Sequence, residues 1–122
     1  MVELYFFDSY ALIEIAKGNE NYKPYKSEPV FTSIFQLYEF SYSVVSSEGE
    51  EKASGEIKKV NANLIEVTEK DIIAASKFRF DKRKQKLSYA DCIGYVLAKK
   101  HGIKFLTGDK EFRNLGNVEF VK

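Results

Sequence analysis

Short apolar runs alternate with longer amphipathic segments along the whole chain, and few folds accommodate that order. Val2–Phe7 is almost continuously apolar, as a strand covered on both faces would be. Ser9–Lys17 reads as a helix, with Leu12, Ile13 and Ala16 on one side and Gly18 as its stop. The polar stretch Asn19–Pro29 carries two prolines and is expected to be a loop. Val30–Thr32 predicts a very short strand. Ser33-Ile34-Phe35-Gln36 then has the form of a capping box opening a helix to about Ser47. Glu48–Asn61 reads as a more polar helix, broken or frayed near Gly55. Leu64–Val67 is a strand candidate, and Thr68 opens a helix to about Lys82. Ser88 caps Tyr89–His101, whose last turn, Lys99-Lys100-His101 before Gly102, has the cations and glycine favoured at a helix C-terminus. Lys104–Thr107 predicts a strand, Lys110–Asn114 a helical turn and Val118–Val121 a last strand. The order β-α-β-α-α-β-α-α-β-α-β predicts an α/β fold, with a mostly parallel sheet and helices on both faces.

Covering both faces of a sheet needs a substantial core. With 122 residues, of which 44% are hydrophobic, the chain suits one domain, 1–122. A single cysteine, Cys92, excludes an intrachain disulfide and a cysteine-cluster zinc site. A single histidine, His101, excludes any site that needs two imidazoles from one chain. Cys92 reads as a small buried apolar residue and His101 as a helix C-terminal one. No apolar run reaches the roughly 18 residues of a membrane span. Met1-Val2-Glu3 lacks the basic start of a secretory signal, so a soluble cytoplasmic protein is expected.

Nineteen Lys and Arg against eighteen Asp and Glu exclude a polycation that coats nucleic acid by charge alone. The near-balance hides a split. Lys77–Lys86 holds six cations against Asp81, interleaved with Phe78 and Phe80, and Glu48–Glu56 holds four glutamates against Lys52. Both runs read as solvated helix faces. The basic one reads equally as a track for a phosphate backbone.

Three carboxylates stand alone in apolar surroundings. Asp8 is the only charge between Leu4 and Ile13, Glu39 the only one from Pro29 to Ser47, and Asp91 the only one from Leu87 to Ala98. A lone carboxylate in such a stretch is costly when buried without a partner. Asp8 directly follows the first strand, and Asp109 follows Phe105-Leu106-Thr107 by one glycine. If the elements pack as a parallel α/β domain, Asp8, Glu39, Asp91 and Asp109 can meet at the carboxyl edge of the sheet, where such folds bind ligands. Four anions that close raise one another's pKa, and a hard divalent cation removes that penalty. Oxygen donors without His or Cys suit Mg²⁺ or Mn²⁺, with room left for a substrate phosphate. Metal-dependent phosphodiester hydrolysis follows from such a set. Each residue also has a plain structural use. Asp8 and Asp109 can cap helices, Asp91 completes the capping box Ser88-Tyr89-Ala90-Asp91, and Glu39 shares a polar stripe with Gln36, Ser43 and Ser46.

The motifs resemble those of PIN-domain ribonucleases, in particular the small VapC-type toxins. Phe6-Phe7-Asp8-Ser9-Tyr10-Ala11-Leu12-Ile13 is similar to the family's opening strand, aspartate and helix. Phe31–Phe40 is similar to the segment that ends in its glutamate, here Glu39. Leu87-Ser88-Tyr89-Ala90-Asp91-Cys92-Ile93 and Leu106-Thr107-Gly108-Asp109-Lys110-Glu111-Phe112 resemble the third and fourth acidic motifs, and these two together are the most specific. Gaps of 31, 52 and 18 residues between the four carboxylates fit as well. The stretch Glu48–Asn63 is least specific.

The resemblance implies a three-layer α/β/α sandwich and cleavage of single-stranded RNA with Mg²⁺ or Mn²⁺. Asp8, Glu39, Asp91 and Asp109 would be the catalytic, metal-binding set, with Ser9 and Thr107 as supporting groups. It also implies a homodimer and a cognate antitoxin whose tail lies in the active-site groove. Gly108 departs from the family, where a larger residue, often arginine, is common. Glu111 stands where a second aspartate is frequent. Tyr10, Tyr38 and Tyr89 adjoin the motifs as packing residues or as stacking surfaces for a base. Competing readings keep the fold and change the activity, to an RNA-processing enzyme, a structure-specific DNA nuclease, or a degenerate domain that only binds. A phosphoacceptor signalling domain lacks support, because no adjacent acidic pair precedes a strand-end aspartate.

Overall fold

The first apolar run becomes the middle of the sheet. The computed structural model describes residues 2–122. Its strands are β1 (Tyr5–Phe7), β2 (Phe31–Thr32), β3 (Asn63–Leu64), β4 (Lys104–Thr107) and β5 (Val118–Phe120). They lie in the order β3-β2-β1-β4-β5, and every pairing is parallel. Phe6 pairs with Phe31 on one side and with Phe105 on the other. The helices are α1 (Ser9–Ala16), α2 (Ile34–Glu48), α3 (Glu50–Val60), α4 (Glu69–Asp81) and α5 (Tyr89–Lys100).

Successive residues of a strand point to opposite faces, and β1 and β4 use both. Phe6 and Phe105 join Ala75, Cys92, Tyr95 and Leu97 beneath α4 and α5. Phe7 and Leu106 join Ala11, Leu12, Phe40 and Ala53 beneath α1, α2 and α3. The result is the expected α/β/α layering. Phe6, Phe7, Phe105 and Leu106 are all fully buried, and truncating one of the three rings to alanine costs about 3–5 kcal/mol.

Several local expectations need correction. The stretch Asn19–Pro29 contains a 3₁₀ helix, Glu20–Tyr25, with Pro24 inside it. Asn19 caps it, and Tyr22, fully buried, anchors it by donating to the Val121 carbonyl. The third helix is continuous through Gly55, and the break lies at Gly49 instead. The third strand is shorter than expected and starts a residue earlier, because only Phe31 and Thr32 are present to pair with it.

Gln36 departs furthest from expectation. Ser33 does cap α2, accepting from the Phe35 amide at 3.2 Å, but Gln36 does not complete a capping box. Its side chain is fully buried, where it accepts from the Ser33 hydroxyl and donates to the Ala90 carbonyl at 2.6 Å. A buried amide needs such partners, and this one ties α2 to the first turn of α5. Gly94 makes the approach possible. A Cβ there would lie 2.6 Å from Gln36 Nε2 and 3.0 Å from the Phe6 and Phe105 rings.

A second inter-helix tie joins α4 to α5. Asp71 forms a true capping box with Thr68 and accepts from Lys100 Nζ at 3.0 Å. Burial alone would raise its pKa. The Thr68 backbone bond and the Lys100 ammonium outweigh that and hold it below the usual range.

Gly94→Ala is expected to destabilise the fold by about 1–3 kcal/mol, the usual range for overpacking. Urea denaturation measures it, and an unchanged midpoint would show that α2 and α5 are free to separate.

Candidate active site

From β1 the chain winds outward to β2 and β3, then returns to β4 on the opposite side of β1 and ends at β5. The winding reverses between β1 and β4. Open parallel sheets leave a ligand crevice at that point, outside the carboxyl ends of the strands. Asp8 is the residue after β1, and Thr107 is the last residue of β4.

Asp8 is held from both neighbouring strands. Its amide donates to the Leu106 carbonyl at 3.1 Å, and the carbonyl of the preceding Phe7 accepts from the Thr32 hydroxyl at 2.7 Å. The Thr107 hydroxyl donates to Asp8 Oδ2 at 2.7 Å and accepts from the Asp109 amide at 3.1 Å. One hydroxyl therefore sets both acidic positions of this edge. Although Asp8 stands at the N-cap position of α1, its side chain makes no cap bond. Its Oδ1 is buried without a hydrogen-bond partner among the described residues. Leaving a buried acceptor unpaired costs about 1–3 kcal/mol, and more when it is charged.

The other three carboxylates also commit one oxygen to the protein. Glu39 Oε1 accepts from the Ser9 hydroxyl at 2.9 Å, across the gap between α1 and α2. Asp91 Oδ2 accepts from the Ser88 amide at 2.8 Å, completing the capping box of α5. Asp109 Oδ1 accepts from the Glu111 amide at 3.0 Å and caps the 3₁₀ turn Lys110–Phe112. The capping uses of Asp91 and Asp109 are thus real, yet each leaves its second oxygen uncommitted to these bonds. The polar-stripe use of Glu39 fails in part, since Gln36, on the same stripe, is buried.

Asp8 and Asp91 each lie within reach of neighbouring carboxylate charge. Burial, then the Asp91 charge, push the Asp8 carboxyl up to about 8, against the Thr107 and Ser9 hydrogen bonds, with Glu39 adding to the rise. Burial raises Asp91 to about 6, opposed by the Ser88 bonds and reinforced by Asp109 and Glu39. Proximity falls short of a closed cage. Among the described residues, no group of three or more His, Cys, Asp or Glu is disposed to hold a metal as it stands. The donor set nevertheless fits a hard cation: oxygen only, anionic, and centred on a buried acceptor that lacks a partner.

Ser9 donates to Glu39 and Thr107 to Asp8. Sequence reasoning missed the interior roles of Thr32 and Gln36. Their signal was a polar residue within an apolar stretch, as for the carboxylates, but a neutral polar side chain reads as surface. Gly108 also has a cause. A Cβ there would meet the Tyr10 ring and the Val121 carbonyl, each at 2.3 Å, so Tyr10 fills the space a larger residue would use. Tyr10 is thus a packing residue, whereas Tyr38 and Tyr89 are 65% and 55% exposed beside Glu39 and Asp91. A concavity of about 550 Å³ lies elsewhere, between Leu12, Tyr25, Val30 and Val60, and includes none of the four carboxylates.

Comparison with known proteins agrees with this geometry. The family model for the PIN domain matches residues 5–118. No curated protein matches the chain in sequence. Among solved structures, VapC20 of Mycobacterium tuberculosis, described as a sarcin–ricin loop cleaving toxin, superposes with a TM-score of 0.80 at 19% identity, covering 97% of this chain and 99% of that one. VapBC2 of Rickettsia felis, bound to a DNA fragment from its promoter, gives 0.74 at 17% identity, covering 98% and 99%. A toxin–antitoxin complex from Klebsiella pneumoniae gives 0.73 at 19% identity, covering 96% of each chain. At these identities the superpositions establish the fold. With the family match spanning nearly the whole chain and the reversal of the sheet at Asp8 and Thr107, the chain belongs to the PIN domain family.

Proposed function

We propose that the protein is a metal-dependent endoribonuclease, the toxin of a VapBC-type pair. The observation that carries this reading is the orphaned Oδ1 of Asp8 at the switch point of the sheet, facing the charges of Asp91 and Glu39. A domain that only bound a partner would have no use for a buried, unpaired carboxylate oxygen.

Asp8, Glu39 and Asp91 would hold a Mg²⁺ or Mn²⁺ ion, with Asp109 beside them. Such an ion, when bound, offsets the carboxylate charge and supplies Lewis-acid stabilisation to a scissile phosphodiester. Thr107 keeps Asp8 Oδ2 as an acceptor and leaves Oδ1 for the ligand. Ser9 does the same for Glu39, and the Ser88 amide for Asp91. Asp109, held by the Thr107 hydroxyl and the Glu111 amide, would bind the ion through water or orient the attacking water. The toxin reading draws on the fold shared with toxin–antitoxin complexes. A cognate antitoxin and a second copy of the chain are its proposed partners. Tyr38, Tyr42 and Val45, exposed at i, i+4 and i+7 along α2, offer apolar surface for one of them. No helix is long and apolar enough to cross a membrane among the described residues, and a cytoplasmic setting is part of the proposal.

A labelled single-stranded RNA is expected to be cut in Mg²⁺ or Mn²⁺ and spared in chelator. Asp91→Asn should lower the rate by on the order of 10²-fold or more, the scale for losing one group that stabilises transition-state charge. A folded, metal-binding protein that cuts no RNA at high concentration would refute the assignment.

Stability without metal should carry a distinctive pH dependence. Asp8 and Asp91 bind protons more tightly folded than unfolded. Metal-free stability is therefore lost as pH rises from about 4 through about 6 and then about 8. A difference of one in pKa between the folded and unfolded chain is worth about 1.4 kcal/mol. In chelator at pH 8, Asp8→Asn should melt at a higher temperature than the native protein, and Mn²⁺ should stabilise only the native chain. Equal melting temperatures across pH 5–8 would show that Asp8 is solvated or paired.

A further inference from the structure

The basic run at Lys77–Lys86 is not used by the carboxylate site, yet it leads directly into it. The run covers the last turn of α4 and the turn that follows, and ends two residues before Ser88, whose amide holds Asp91 at 2.8 Å. Its one anion, Asp81, is taken by Lys77 at 2.8 Å on the same helix. Arg79, Lys82, Arg83, Lys84 and Lys86 form no ion pair with any described residue. The acidic run is on the other side of the molecule, since α3 covers the face of the sheet opposite to α4. The overall +1 thus hides two charged runs that lie on different faces.

The segment is also organised. Arg79 Nε donates to the Leu87 carbonyl at 3.3 Å and ties the end of the run back to α4. Gln85 closes the turn onto the Lys82 carbonyl at 2.8 Å. Arg83 donates to the Phe80 carbonyl at 2.9 Å and lays its guanidinium 4.4 Å over the Phe80 ring. That ring is 63% exposed. Ser76, Arg79, Phe80, Arg83, Gln85 and Leu87 line an open groove of about 450 Å³. A merely solvated helix end needs no exposed aromatic ring beneath an arginine. Cations along a groove with a planar, partly covered ring are the elements that hold single-stranded nucleic acid, by phosphate contact and base stacking.

We propose that Arg79–Lys86, with Phe80 as a stacking surface, is the docking track that carries single-stranded RNA to the carboxylate site. The proposal rests on the nuclease reading above for the identity of the strand. Arg83, Lys84 and Lys86 meet successive phosphates, and Phe80 takes a base. An acidic protein segment is the competing occupant. It would use the cations and leave Phe80 without a role.

The test measures binding apart from cleavage. A fluorescein-labelled single-stranded 12-mer of uridine is titrated by anisotropy against the full chain carrying Asp8→Asn, over a series of salt concentrations. Adding Arg83→Glu and Lys84→Glu should weaken binding at least tenfold near 0.1 M salt. It should also flatten the log–log salt slope by about 0.7 for each phosphate no longer neutralised. Lys52→Glu with Lys58→Glu on α3, the same change in net charge, should do neither. Phe80→Ala should weaken binding several-fold with the slope unchanged. RNA binding that responds alike to both charge reversals, or that is absent from the parent protein, overturns the proposal. So does loss of binding to a polyglutamate peptide while RNA binding is kept. Calorimetry of Mn²⁺ with native Asp8 should give the same affinity with and without the Arg83 and Lys84 substitutions. RNA held on the track but never cut would refute the nuclease reading alone; cutting with an unchanged KM in the Arg83 and Lys84 variant would refute the track alone.

Discussion

A carboxylate buried at the end of the central strand is the constraint around which this molecule is arranged. Asp8 is 2% exposed and faces two other carboxylates, which is an unstable placement for an anion. The surrounding structure makes it possible. Leu106 fixes its backbone, Thr32 fixes the carbonyl before it, and Thr107 fixes one of its oxygens. Both neighbouring strands are therefore engaged in holding a single residue, and what they leave open is one oxygen.

The same economy recurs around the site. Each of the four carboxylates gives one oxygen to a local donor, and in three of them the donor is a backbone amide or hydroxyl within three residues or on a directly adjoining strand. Glu39 is the exception, held by Ser9 from another helix. Helix capping at Asp91 and Asp109 thus commits one oxygen of each and leaves the second outside those bonds. Gln36 extends this logic to the scaffold. By bonding the carbonyl of Ala90, it fixes the helix that bears Glu39 against the residue that precedes Asp91.

Much of this was legible in the chain, and for identifiable reasons. Alternating apolar runs and amphipathic helices predict a parallel sheet because both follow from local periodicity. The isolated charges Asp8, Glu39 and Asp91 were conspicuous because an ion in an apolar stretch has few structural uses. Gln36 and Thr32 were not, because a neutral polar side chain is as common on a surface as inside, and only long-range packing separates the two. Gly55 looked like a helix break by propensity, which tertiary packing of Ala53 and Glu56 overrides. The 3₁₀ helix at Glu20–Tyr25 was hidden by its polarity and by Pro24, although Tyr22 within it is wholly buried.

By itself the sequence determined the class of fold, the four acidic positions and the clustering of cations at Lys77–Lys86, because composition and period are properties of neighbours along the chain. The tertiary structure alone decided that the winding reverses between β1 and β4, that residues 99 apart in sequence share one hydrogen bond at Thr107 and Asp8, and that the basic and acidic runs lie on opposite faces. Those are relations between segments distant in the chain. They arise from which faces bury against which, and no local pattern encodes them.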